Sequence, residues 1–291
     1  MGIPCHRVVF KDGSLAGSFA FGGPDVQRRM LEAEGVLFDA QGRVDMSLCA
    51  WDGIPEGEER MIGIIAAIKP EIEALKAVIT DKYVRTVSSV EYISGKLNGR
   101  EVVVAGCGAG KVNAAVCTQT MILEYMPDVI INTGVGGTLT DELSIGDVAV
   151  ATKLVQHDFD TTGCGDPRGY IGVGREYMIE MPCTERLVSA IEKAAEEEGL
   201  KTVRGMIASG DTFVSSEAAK SAILENFPGC VACEMEGAAI AQVCLLNNVD
   251  FCVVRAISDS ADNSAHMDYP SFIKIAAARS AAVTGRVVAA L

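Results

Sequence analysis

The 291-residue sequence contains no apolar run of 18 or more residues, so no membrane-spanning helix is expected. It opens MGIPCHRVVF, with early Pro, Cys, His and Arg where a secretory leader would carry a long apolar stretch, and a cytoplasmic location is the expectation. Positive charge is scarce. Twenty-five Lys and Arg face 39 Asp and Glu, and the net charge of -14 disfavours nonspecific attraction to DNA, RNA or anionic lipid. Nucleic acid and membrane are therefore not expected as partners; a small or neutral substrate is. The ten cysteines are too dilute for a disulfide scaffold, and most sit among apolar residues, where a reduced thiol packs as a small hydrophobe. The one CxxC, Cys230 to Cys233, lies in an apolar run that reads as a strand, and no second CxxC or His pair completes a zinc site. Neither a metal nor a cofactor is expected. What is present in quantity is ordinary globular material, 49% hydrophobic and 22% charged, which argues against a disordered chain.

The chain divides unequally. Residues 1–60 are loop-rich up to Pro24, then offer one helix over 25–34 with Gly35 at its C-cap, and a hairpin around Gln41-Gly42. One helix and one hairpin bury only a thin core. Residues 51–60 are polar, with two Gly and a Pro, and read as a linker. From Met61 the pattern is βα alternation. The run 62–68 reads as a buried strand, Pro70 opens a helix to about 79, and strands 92–97 and 101–105 flank the hairpin signal Asn98-Gly99. Helices follow over 112–125, 185–198, 217–226, 237–247 and 269–290, with strands at 129–132, 147–152, 203–208, 230–233 and 251–257. Strands separated by helices predict an α/β fold: a mixed, mostly parallel sheet flanked by helices, preceded by a small α+β appendage. In such folds ligands sit outside the carboxyl ends of the strands.

The residues after those strands each carry two readings. GCGAGK at 106–111 is a tight strand-to-helix turn or a backbone N–H cradle for an anion or substrate oxygen; it is neither a Walker loop nor GxGxxG. NTGVGG at 132–137 follows its strand and lets a flat ligand approach the backbone. Phe213 in SGDTF is a core residue or a stacking platform for a ring. Glu234 and Glu236 in CEME are a structural ion pair, with Arg255 as the obvious partner, or charges put to use. Asp259 caps a turn or serves the site, and Glu71 is a first-turn carboxylate or a third member of an acidic rim. Three carboxylates in a partly dry cleft can hold separated pKa values, so that one donates a proton while another takes one from water. That is equipment for cleaving a glycosidic bond through an oxocarbenium-like transition state.

IGIIAAIKPEIEAL, the GxGK loop, DVIINTGVGG, SGDTF, CEMEGAAIAQVC and VVRAISDSAD together resemble the 5′-methylthioadenosine/S-adenosylhomocysteine nucleosidases, from about Met61 to the end of the chain. The resemblance implies the nucleoside phosphorylase/nucleosidase-like fold, hydrolysis of the N-glycosidic bond with release of adenine and the 5-thioribose product, and a homodimer. By matching motif, Glu71 resembles the base that activates water, Asp259 the acid at N7 of adenine aided by Ser258, and Glu236 the carboxylate that holds the ribose hydroxyls. Met235 resembles the residue packed on the ribose, and Arg255 the one that orders the site through Glu234. Phe213 resembles the adenine-stacking aromatic, Val214 the position whose backbone reads the adenine edge, Gly137 a substrate-contacting glycine, and Tyr269 the aromatic beside the sugar and alkylthio group. Val135 stands where family members often have Ser.

IPCHRVV at 3–9 and DGSLA at 12–16 resemble the carboxyl-terminal part of methylated-DNA–protein cysteine methyltransferases, in which Cys5 would match the alkyl acceptor and His6 its activating residue. Residues 1–50 thus read as a truncated alkyltransferase-like segment, 51–60 as a linker and 61–291 as a nucleosidase domain. With six Lys and Arg against ten Asp and Glu in residues 1–60, a vestigial segment is expected there. Two alternatives to the nucleosidase reading are a phosphorolytic purine nucleoside phosphorylase and alkylation repair or sensing through Cys5.

Overall fold

The computed structural model describes residues 5–10, 12–15, 24–46 and 61–291. The chain forms two compact units, Met1–Glu58 and Glu59–Leu291. Residues 51–60, read as a linker, lie outside the described residues.

Among its described residues the first unit holds a 3-10 turn, Cys5–Arg7, and helix α1, Pro24–Ala33. Helix α1 ends where Gly35 takes φ +85°, and the Val36 N–H closes back on the Leu31 carbonyl at 3.0 Å. The expected hairpin reduces to one antiparallel bridge, Phe38 with Val44, around Gly42 at φ +74°. Only Leu31, Val44 and the hydrogen-bonded Gln27 are buried among the larger side chains described there.

The second unit is a ten-stranded mixed sheet between two helical layers. Strand β1, Ile62–Ala66, runs at its centre, parallel to both β4 (Arg100–Gly106) and β5 (Val129–Thr138). Neighbouring residues along these strands divide between two cores, as side-chain alternation requires. Ile65, Val103, Ile130 and Val253 pack on α3 (Lys111–Tyr125) and α6 (Gly237–Asn247). Ile64, Val102, Ile131 and Val254 pack on α2 (Lys69–Lys76), α4 (Glu185–Glu197) and α7 (Ala265–Ala290). Buried on both faces, the strands read as continuous apolar runs.

Beyond β5 the sheet curls. It continues through β12 (Asp250–Asp259), β6 (Val148–Gln156), β10 (Thr202–Ser209) and β11 (Cys230–Glu234), and β11 then pairs antiparallel with β5 through Ala232–Thr138 and Cys233–Gly137. These five strands close a ring. Ring closure brings the end of β11 against β5.

Three differences from the sequence reading have physical causes. Strand β2 (Thr80–Val87) was not expected, because its exposed, charged residues show no apolar alternation; it is an edge strand held by pairing with β3 (Val90–Leu97). Strands β5 and β12 run to Thr138 and Asp259, past the expected ends at 132 and 257, so NTGVGG and Ser258-Asp259 lie within strands. Glycines that read as a loop are held extended by pairing with β12, and Gly137 with β11 as well. The short strands β7 (Ile171–Val173), β8 (Glu176–Met178) and β9 (Met181–Pro182) carry too few residues for a periodic signal. Helix α5 (Glu217–Asn226) falls where expected, capped by the Ser216 hydroxyl on the Ala219 N–H.

Candidate active site

Glu71 sits in the first turn of α2, behind Pro70. Its two expected readings coincide. Oε2 accepts the Ala67 and Ile68 N–H groups of its own helix start at 2.9 and 3.0 Å, and Oε1 accepts the Val135 N–H of β5 at 3.0 Å. Burial raises the pKa of this carboxyl above the usual range, against the pull of those donors and of Arg255. The approach depends on glycine: a Cβ on Gly134 would stand 2.8 Å from Glu71 Oε1.

Glu234 ends β11 and is fully enclosed. It takes the Arg255 guanidinium, the Ser209 hydroxyl, and the N–H groups of Glu236 and Gly237 at 3.0 and 2.7 Å. Burial opposes its ionisation, but Arg255 and these donors outweigh it and hold its pKa below the usual range. Arg255 is in turn aimed by Asn132, whose Oδ1 accepts Nη2 at 2.5 Å and whose Nδ2 donates to the Ile65 carbonyl at 3.0 Å. The ion-pair reading of CEME is thus realised in Glu234. Glu236 is different. Arg255 stands 3.9 Å away, and the Gly110 N–H at 2.8 Å is its one hydrogen-bond donor among the described residues. Burial and the charge of Glu234 push its pKa up to about 7. Two glutamates two residues apart thereby acquire opposite proton affinities.

Asp259, at the end of β12, accepts the Ala261 N–H on Oδ1 and the Ser258 hydroxyl on Oδ2, both at 2.9 Å. Burial raises its pKa in spite of them, with Asp268 and Asp262 adding to the rise. Gly137 must be glycine here, since a Cβ would fall 2.7 Å from Asp259 Oδ1.

These groups surround one cavity of about 90 Å³. Glu71, Gly137, Phe213, Val214, Glu234, Met235, Glu236, Ser258, Asp259 and Tyr269 all line it. Arg255 lies beneath, reaching it through Glu234. Phe213 is 44% exposed and meets the Tyr269 ring edge-on, centroids 5.4 Å apart, so one aromatic face is free for a planar ligand. Asn132 and Ser209 were not singled out by sequence, and only the fold reveals that they hold Arg255 and Glu234. The GxGK loop supplies its Gly110 N–H to Glu236, not to an external anion, and Lys111 Nζ is bound to Asp158 Oδ1 at 2.6 Å and Gln156 Oε1 at 3.2 Å. Among the described residues no group of three or more His, Cys, Asp and Glu side chains is arranged to hold a metal ion. In the first unit, His6 Nε2 lies 2.8 Å from Glu34 Oε1; the Cys5 side chain lies outside the described residues.

Comparison with known proteins places this cavity in context. Residues 61–289 match the family model of the phosphorylase superfamily. A 5′-methylthioadenosine/S-adenosylhomocysteine nucleosidase of Shewanella loihica is 41% identical over 213 residues, covering 73% of this chain and 91% of the relative. The chain belongs to the phosphorylase superfamily, in the 5′-methylthioadenosine/S-adenosylhomocysteine nucleosidase family. Solved structures agree. The nucleosidase of Neisseria meningitidis in complex with methylthio-immucillin-A superposes with a TM-score of 0.77 at 36% identity, covering 80% of this chain and all of the other. Futalosine hydrolase of Helicobacter pylori superposes with a TM-score of 0.75 at 33% identity, covering 80% and 98%. Residues 1–36 match a separate model, the DNA binding domain of 6-O-methylguanine DNA methyltransferase. Val135 contributes no hydroxyl to the cavity, while its N–H serves Glu71.

Proposed function

We propose that the chain hydrolyses the N-glycosidic bond of 5′-methylthioadenosine and S-adenosylhomocysteine, releasing adenine. The observation that carries this reading is the convergence of Glu71, Glu236 and Asp259, each with a raised pKa, on one cavity beside a free aromatic face. Adenine leaves poorly as an anion. Asp259, inclined by burial to keep its proton, donates it to N7, with Ser258 holding the carboxyl in place. Glu236 binds the ribose hydroxyls and, ionised, stabilises positive charge at the sugar. Glu71, made more basic by burial, takes a proton from the attacking water. Phe213 stacks on the base, the Val214 backbone reads its edge, Gly137 admits it, and Met235 and Tyr269 wall the sugar and alkylthio group.

Phosphorolysis would need a cation free to hold phosphate. Lys111 is engaged by Asp158, and the loop's Gly110 and Lys111 N–H groups are engaged by Glu236 and Asp211. These engagements support water as the acceptor. Val112, Val116 and Leu123, exposed on α3, support assembly into a homodimer. The eight free cysteines among the described residues fit a reducing cytoplasm. Residues 1–50 are read as an alkyltransferase-like remnant, joined by 51–60 to the nucleosidase domain at 61–291.

Exchange of Asp259→Asn removes the acid. It is expected to lower kcat for adenine release roughly 10²–10⁴-fold with the fold retained; adenine release at the wild-type rate would remove Asp259 from this role.

A further inference from the structure

Gly110 owes its place to a closed ring of three side chains that do not themselves line the cavity. The Lys111 N–H donates to Asp211 Oδ1 at 2.8 Å, the Asp211 N–H donates to Asp158 Oδ2 at 2.8 Å, and Lys111 Nζ returns to Asp158 Oδ1 at 2.6 Å. The ring ties the start of α3 to the turns leaving β6 and β10. A branch from Lys111 runs through Gln156 to Gln242 on α6, the helix that Glu236 begins. Gly110 itself takes φ +97°, and a Cβ there would meet Asp211 Oδ1 at 3.1 Å, so the backbone sits tightly against the ring.

We propose that Lys111, Asp158 and Asp211 are positioning residues that hold the Gly110 N–H on Glu236 and thereby keep that carboxylate ionised for the sugar. The proposal rests on the nucleosidase reading above. Glu236 is faced by Glu234 across its own turn, Arg255 from β12, Glu71 from α2, the Cys107 thiol after β4 and the Tyr269 phenol from α7. Of these, Glu234 and Glu71 oppose its ionisation and Arg255, already engaged, favours it. The Gly110 N–H is the remaining favourable contact, and it works only while the loop stays in place. Asp158 is suited to anchor the loop: burial opposes its charge, but the Lys111 ammonium and the Asp211 N–H hold its pKa below the usual range. Asp158 therefore remains charged at pH values where Glu236 titrates.

The test is the pH dependence of kcat/KM for methylthioadenosine from about pH 5 to about pH 9 in wild type, Asp158→Ala, Asp211→Ala and Asp211→Asn. Loss of one N–H from a carboxylate is expected to move the acidic limb of both alanine variants upward by about one pH unit, with activity recovering at alkaline pH. Asp211→Asn, whose amide oxygen still accepts the Lys111 N–H, is expected to reverse most of the shift. An unmoved acidic limb in alanine variants with native far-UV circular dichroism overturns the proposal. If neither alanine variant folds, Asp158→Asn decides in the same way, since it weakens the Lys111 contact without removing volume. A wild-type chain inert toward methylthioadenosine would instead overturn the nucleosidase reading.

Discussion

Glu236 is kept in a state that costs stability. Its pKa in the folded protein, about 7, lies above the ordinary value of 4.5, so the folded chain binds that proton more tightly than the unfolded chain. The stability it contributes is fully present below about pH 4.5 and is lost as pH rises through about 7. Exchange of Glu236→Gln is expected to abolish adenine release and to raise Tm by a few degrees at about pH 8, with little difference near pH 4.5. Thermal melts at the two pH values check this; an unchanged or lower Tm at the higher pH would contradict it. The three acidic residues were legible in the sequence because carboxylates at the ends of apolar strands, or in the helix turn just after one, are conspicuous. Asn132 and Ser209 were not, because a neutral side chain in a strand gives no sign of the charge it will meet from another one. Only the register, which sets Asn132 beside Val253, shows that Arg255 lies within reach.

The elements that carry the site were legible in their apolar parts and illegible in their glycines. Strands β1 and β11 and helices α3, α5 and α6 fall close to their expected limits, since buried runs and helical caps leave strong signals. NTGVGG looked like a loop because glycine has no intrinsic preference for extended structure. Its small size is what lets Glu71, Cys233 and Asp259 crowd β5 from outside. Exchange of Gly134→Ala is therefore expected to displace Glu71 and suppress kcat, with the chain still folded. Gly99→Ala, at φ +83° with no atom within 4 Å of the new Cβ, is expected to cost about 1 kcal/mol and leave kcat unchanged. Adenine assays and denaturant melts on the pair separate crowding from backbone strain; equal activity in both would count against the crowding argument.

For the whole molecule, the charge of -14 disfavours polyanionic partners, and every residue that lines the cavity falls within 61–289, the span that matches the phosphorylase superfamily. Since every lining residue belongs to the second unit, a chain lacking residues 1–58 is expected to retain the kcat and KM of the full chain. Loss of activity on that deletion, with circular dichroism unchanged, would give the first unit a part in catalysis. The most direct measurement is adenine release by the full chain from 5′-methylthioadenosine in phosphate-free buffer. The account predicts release at a rate that added phosphate does not increase. A chain inert without phosphate that cleaves nucleosides once phosphate is supplied would contradict it.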